Sequence, residues 1–145
     1  MKKKLVLFKN ENGQSLVEFA LVLPILLLFL LGIIEFGWLY NAKIIMTSAA
    51  REGARVYAIK GNLPDVDSLV ALAVTEATGN LTVSGLTAIC KKPVTPLLDN
   101  PSVKMAEVTV SGSIKPLIGF IVQGNVVMTA TAQMRVEYYV ALGGD

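Results

Sequence analysis

The sequence predicts an α+β protein. A long N-terminal membrane-spanning helix, kinked near Pro24, continues into a small domain with a short second helix and a three-stranded antiparallel sheet. Three observations predict it. From Phe19 to Ile34 there are 16 residues without a charge, and if Glu35 is tolerated the apolar run reaches Tyr40. Those 22 residues, at a rise of ~1.5 Å each, span roughly 33 Å, about the thickness of a bilayer core. Helical periodicity then persists to Ile59 and recurs after Asp65, and three Val- and Thr-rich runs follow, separated by Gly, Pro and Asn.

Each element has its own warrant. Pro24 lacks a backbone donor, which kinks a helix. Trp38 and Tyr40 read as an interfacial aromatic belt. From Asn41 to Ile59 the residues Ile44, Ile45, Met46, Ala49, Ala50, Gly53, Ala54 and Tyr57 recur at three- and four-residue spacing. The small ones form a face that another backbone or sheet can approach closely. Gly61-Asn62-Leu63-Pro64 ends the helix. Asp65 or Asp67 caps a second helix, with Leu69, Val70, Leu72, Ala73, Val74 and Ala77 as its apolar face and Gly79-Asn80 as its stop. Leu81–Ile89 reads as a strand with a bulge at Gly85, Cys90–Pro101 as a loop, Val103–Ile114 as the clearest strand, and Val126–Val140 as a long half-buried strand. Leu117–Val122 is an apolar segment, either a helical turn or a patch dipping towards a membrane or partner. A three-stranded sheet needs a cover in water, and the outer half of the long helix with the second helix supplies it. The expected divisions are 1–13 as a basic leader, 14–40 as the transmembrane helix, 41–60 as its continuation and 61–145 as the small domain.

Composition narrows the function classes. The apolar fraction is 53%, charged residues are 17%, and the net charge of +2 is too small to imply nucleic acid. The positive charge belongs to the leader, where Lys2, Lys3, Lys4 and Lys9 face Glu11. The chain has no histidine, and its single cysteine, Cys90, allows no intrachain disulfide. With no nucleophile or metal motif, no metal, cofactor or small-molecule substrate is expected, and an enzyme is disfavoured. Asp65 and Asp67 read as capping residues rather than ligands.

The informative pattern is Gly13-Gln14-Ser15-Leu16-Val17-Glu18-Phe19, behind a Lys-rich leader and at the entrance to the apolar helix. A carboxylate placed at a membrane-helix centre costs ~2.5–3.5 kcal/mol on insertion scales, and less near an end. If the chain were cut after Gly13, Gln14 would begin the mature protein and its α-amine could pair with Glu18, one turn away or on the next subunit. Otherwise Glu18 snorkels to the headgroups or sits in the favourable field of the helix N-terminus. The pattern resembles the processing site of type IV prepilins. With QSLVEFALVLPILLLFLLGIIEFG and then AAREGAR at Ala49–Arg55, the stretch Gly13–Tyr57 resembles the TadE-like family of pilus-assembly proteins of the tight-adherence system.

That resemblance implies an N-terminus left in the cytoplasm, cleavage between Gly13 and Gln14 by a membrane prepilin peptidase, and a domain outside the cytoplasmic membrane. The corresponding function is a non-enzymatic minor pilin or pseudopilin, packed against other pilins through the spine helix and against lipid, and working with the pilus assembly platform. The alternative is an uncleaved single-pass anchor whose outer domain binds an envelope or secretion partner. Candidate partner contacts are Glu35, Ala50, Arg51, Gly53, Ala54 and Arg55. Glu35 reads either as a polar contact to a partner helix or as a carboxylate snorkelling beside Trp38 and Tyr40. Arg51 and Arg55, like charges four residues apart, would slightly destabilise an isolated helix.

Overall fold

A computed structural model describes residues 11–79, 81–94 and 104–136. The elements are helices α1 (Glu11–Lys60) and α2 (Val66–Thr78) and strands β1 (Val83–Val94), β2 (Met105–Ile114) and β3 (Val126–Arg135). Contacts divide the chain into two compact units, the first ending at Ile34 and the second starting at Glu35.

In the first unit the helix runs through Pro24 without a break. Most of its large apolar side chains, among them Leu16, Phe19, Leu21, Phe29 and Ile33, are exposed. Mean hydropathy reaches 2.8 in this helix, which is long and apolar enough to cross a membrane. A helix that leaves such residues in water is unstable there, whereas lipid accommodates them.

The second unit has a helix-on-sheet core. The sheet is an antiparallel meander in the order β1-β2-β3. Along β2, Ala106, Val108, Val110, Gly112 and Ile114 alternate onto one buried face. Against that face pack Ala42, Met46, Ala49, Ala50, Ala54, Tyr57 and Ala58 of α1, together with Val66, Val70 and Val74 of α2. Alanine dominates the α1 side because short side chains let helix and sheet approach closely. Gly53 is the extreme case: a Cβ there would lie 2.8 Å from Val74 Cγ2 and 3.2 Å from both Val70 Cγ1 and Val108 Cγ1.

The opposite face of the sheet is polar. The register sets Thr109 opposite Thr131, Thr87 opposite Ser111, and Glu107 between Lys91 and Gln133. Hydroxyl contacts at 2.9 Å (Thr87–Ser111) and 3.0 Å (Thr109–Thr131) join neighbouring strands. Lys91 Nζ and Gln133 Nε2 donate to the two oxygens of Glu107 at 2.5 and 2.7 Å. Cross-strand pairs of this kind contribute roughly 0.2–1 kcal/mol each.

The structure revises several boundaries. β1 continues through Cys90 to Val94 instead of stopping at Ile89, because Cys90 and Lys91 pair with Val108 and Glu107. The bulge expected at Gly85 is present as a register shift between Ser84 and Thr87, with Gly85 at φ +64°. α2 buries Val66, Val70, Val74 and Thr78, a narrow stripe at four-residue spacing, and leaves Leu72 exposed. Asp65 stands at its N-terminus without a side-chain capping bond, and Ser68 Oγ donates to the Asp65 carbonyl at 2.7 Å. The leader up to residue 10, Asn80, residues 95–103 and the segment beyond Val136 lie outside the described residues, and with them parts of the expected loop and last strand.

Candidate functional site

At the start of the first unit, Gly13 and Gln14 lie within the helical residues described for α1. Gln14 and Glu18 are four positions apart, so both side chains fall on one face of the helix. Gln14 Nε2 donates to Glu18 Oε1 at 3.0 Å, and both residues are exposed. The carboxylate is thus reached from the residue that would begin a chain cut after Gly13.

In the second unit, Glu35 does not reach out beside Trp38 and Tyr40 as a snorkelling carboxylate would. It is fully buried and contacts the chain's own backbone: the N–H groups of Ile118 and Gly119 donate to Glu35 Oε2 at 3.0 and 3.3 Å. The other oxygen, Oε1, is buried without a hydrogen-bond partner. One turn along the helix, Trp38 Nε1 donates to the Lys115 carbonyl at 3.3 Å. The β2–β3 connection is therefore fastened at two points to the segment of α1 that follows the apolar run. A cleft of about 240 Å³ lies within this connection, lined by residues of 115–119 with Gly124 and Asn125. Lys43 Nζ adds a third tie, to the Thr129 carbonyl of β3.

Ala50, Gly53 and Ala54 are buried in the helix–sheet core. Their small size serves packing within the chain. Arg51 and Arg55 of the same stretch are exposed. Arg55 pairs with Glu52 through contacts of 2.6 to 3.2 Å, which offsets the repulsion expected from Arg51. In β1, burial and then the nearby Asp67 carboxylate push the Cys90 thiol up to about 12. Such a thiol is a poor nucleophile at neutral pH. Among the described residues no cluster of His, Cys, Asp and Glu is arranged to hold a metal ion.

Sequence reasoning missed the ties to Ile118, Gly119 and Lys115, because backbone partners more than 70 residues away leave no local pattern. The only hint was an apolar segment, Leu117–Val122, with no obvious place in a core.

The stretch that carries the Gly13–Glu18 pattern and the Arg face has known relatives. Residues 13–55 match the model of the TadE-like protein family. The TadE-like stretch begins at Gly13, ends at Arg55 and includes every candidate site residue except the β2–β3 connection. It covers under a third of the chain, and no curated protein or solved structure matches. The match points to involvement in Tad pilus assembly, in a family that is generally non-enzymatic. With the long apolar helix it also points to a single-pass membrane protein.

Proposed function

We propose that this chain is a minor pilin or pseudopilin of a tight-adherence, type IVb-like pilus or secretion machine. On this reading a prepilin peptidase removes residues 1–13, and the released α-amine of Gln14 pairs with Glu18 of its own or a neighbouring subunit. Spine helices pack side by side, in lipid and then in the filament or its assembly platform. The N-terminus faces the cytoplasm and the helix–sheet unit lies beyond the cytoplasmic membrane. The observation that carries this is the position of Glu18: a carboxylate at the entrance of an apolar helix, already within hydrogen-bond reach of Gln14, in a family match that starts at Gly13.

Mass spectrometry of the chain extracted from membranes that contain the peptidase tests the first step. The expected mature chain starts at Gln14, and an intact Met1 refutes processing. Glu18→Ala is expected to insert normally but to co-purify poorly with its partner subunits, and normal co-assembly would remove Glu18 from the mechanism. A second reading, an uncleaved anchor whose outer domain binds an envelope partner, is favoured by one observation: the 13–14 peptide bond lies in a helical turn. Exposed Arg51 and Arg55 are the positions from which crosslinking reports a partner under either reading.

A further inference from the structure

The β2–β3 connection exposes a run of large apolar side chains: Leu117 (55%), Ile118 (42%), Phe120 (63%) and Ile121 (39%). So dense a group on a short segment calls for an apolar environment. Its backbone is held by Glu35 and Trp38, and Glu35 directly follows Ile34, the last residue of the uncharged run. If that run sits in the bilayer, Glu35 and Trp38 emerge at the depth of the lipid headgroups, where Trp is enriched. The segment is therefore tethered at the same depth. Lys115, exposed at its start, places an ammonium where anionic headgroups lie.

We propose that residues 117–121 form a second membrane contact, an interfacial loop in the leaflet next to the folded unit, with Glu35 as the residue that positions it. The occupant of this patch is lipid. Two backbone N–H groups of the loop donate to Glu35 Oε2, which offsets part of the cost of holding a carboxyl group at this depth. The inference rests on the helix being embedded, and on neither cleavage nor filament assembly.

The test uses the full chain in vesicles of phosphatidylethanolamine and phosphatidylglycerol. In a Cys90→Ser background, single cysteines at Ile121→Cys, Phe29→Cys and Thr131→Cys carry an environment-sensitive fluorophore. Quenching is compared between lipids bearing a nitroxide near the headgroup, lipids bearing one deep in the chains, and aqueous iodide. Position 121 is expected to be quenched by the shallow nitroxide and protected from iodide, while position 131, on the polar face of the sheet, shows the opposite. Position 29 reports the span through the deep nitroxide, so its failure would refute embedding and is distinct from failure at 121 alone. Iodide access at 121 equal to that at 131 overturns the proposal, and so does protection from both quenchers, which would mean that protein covers the patch. Glu35→Ala is expected to lose shallow quenching at 121 but keep deep quenching at 29. Unchanged quenching at 121 would remove Glu35 as the positioning residue.

Discussion

Replacing Gly53 by alanine separates two opposed effects of known size. In a helix interior, Gly→Ala is worth about 0.8–1.0 kcal/mol of stabilisation. At Gly53 the added Cβ would lie 2.8 Å from Val74 Cγ2, about 1 Å inside the usual carbon–carbon separation of ~3.5–4.0 Å. Val74 cannot simply turn away, because a β-branched side chain has few rotamers, and Val70 and Val108 close the other sides at 3.2 Å. Overpacking of this kind costs ~1–3 kcal/mol, so Gly53→Ala should range from neutral to about 2 kcal/mol destabilising. Gly37 is the control, since a Cβ there meets nothing within 4 Å. Gly37→Ala keeps the helix gain without the clash. The packing cost therefore appears as the difference between the two variants, roughly 2–10 °C in unfolding midpoint for a chain of this size. Thermal unfolding of the full chain in detergent micelles, followed by near-ultraviolet circular dichroism, measures it. Adding Val74→Ala should relieve the clash, giving a coupling of about 1–2 kcal/mol in the double-mutant cycle. Equal midpoints for the two alanine variants, or strict additivity with Val74→Ala, would refute the three-sided contact.

Further outcomes follow from the same structure. Lys91 first, then Gln133, hold the Glu107 carboxyl below its ordinary value of 4.5. A lowered value means that the stabilisation is present above the ordinary value and fades as the pH falls through the lowered one. Wild type should therefore lose more unfolding midpoint than Glu107→Gln on going from pH 6 to pH 3, by a small margin because the pair is exposed. Cys90, pushed up to about 12 from an ordinary 9.0, should alkylate with iodoacetamide at pH 8 some hundred- to thousandfold more slowly than a free thiol. Asp67→Asn should speed that reaction, and no change would exclude the carboxylate as a cause. Lys43→Met should lower the protection of the β3 edge in hydrogen exchange near Thr129 while leaving β1 unchanged.

Much of this architecture is legible from periodicity alone. The uncharged run announces the apolar helix, while the amphipathic continuation after Asn41 and the alternation in β2 and β3 each report one face, and those faces meet in the core. What is not legible depends on pairing across distance. Lys91-Lys92-Pro93 reads as a loop, yet Lys91 is a strand residue because Glu107 lies opposite it. The fully buried α2 stripe is narrower than its composition suggests, since Val66, Val70, Val74 and Thr78 are buried while Ala77 packs at the edge of the core and Leu72 is exposed. Glu35 is the largest departure. A lone carboxylate next to an aromatic pair looks like a group seeking solvent or a partner, and nothing near it in sequence announces the amides of Ile118 and Gly119. At the helix entrance, by contrast, the four-residue spacing puts Gln14 and Glu18 on one face, where the side-chain amide of Gln14 reaches the carboxylate.

The division of the chain at Glu35 has a practical corollary for anyone preparing a water-soluble fragment. Cutting where hydrophobicity ends, near Tyr40, would discard Glu35, Trp38 and Leu39 and free the β2–β3 connection from both of its anchors. Such a truncation should yield a sheet with one loose end, whereas a fragment starting at Glu35 keeps the connection tied, although Leu117, Ile118, Phe120 and Ile121 stay exposed and call for mild detergent.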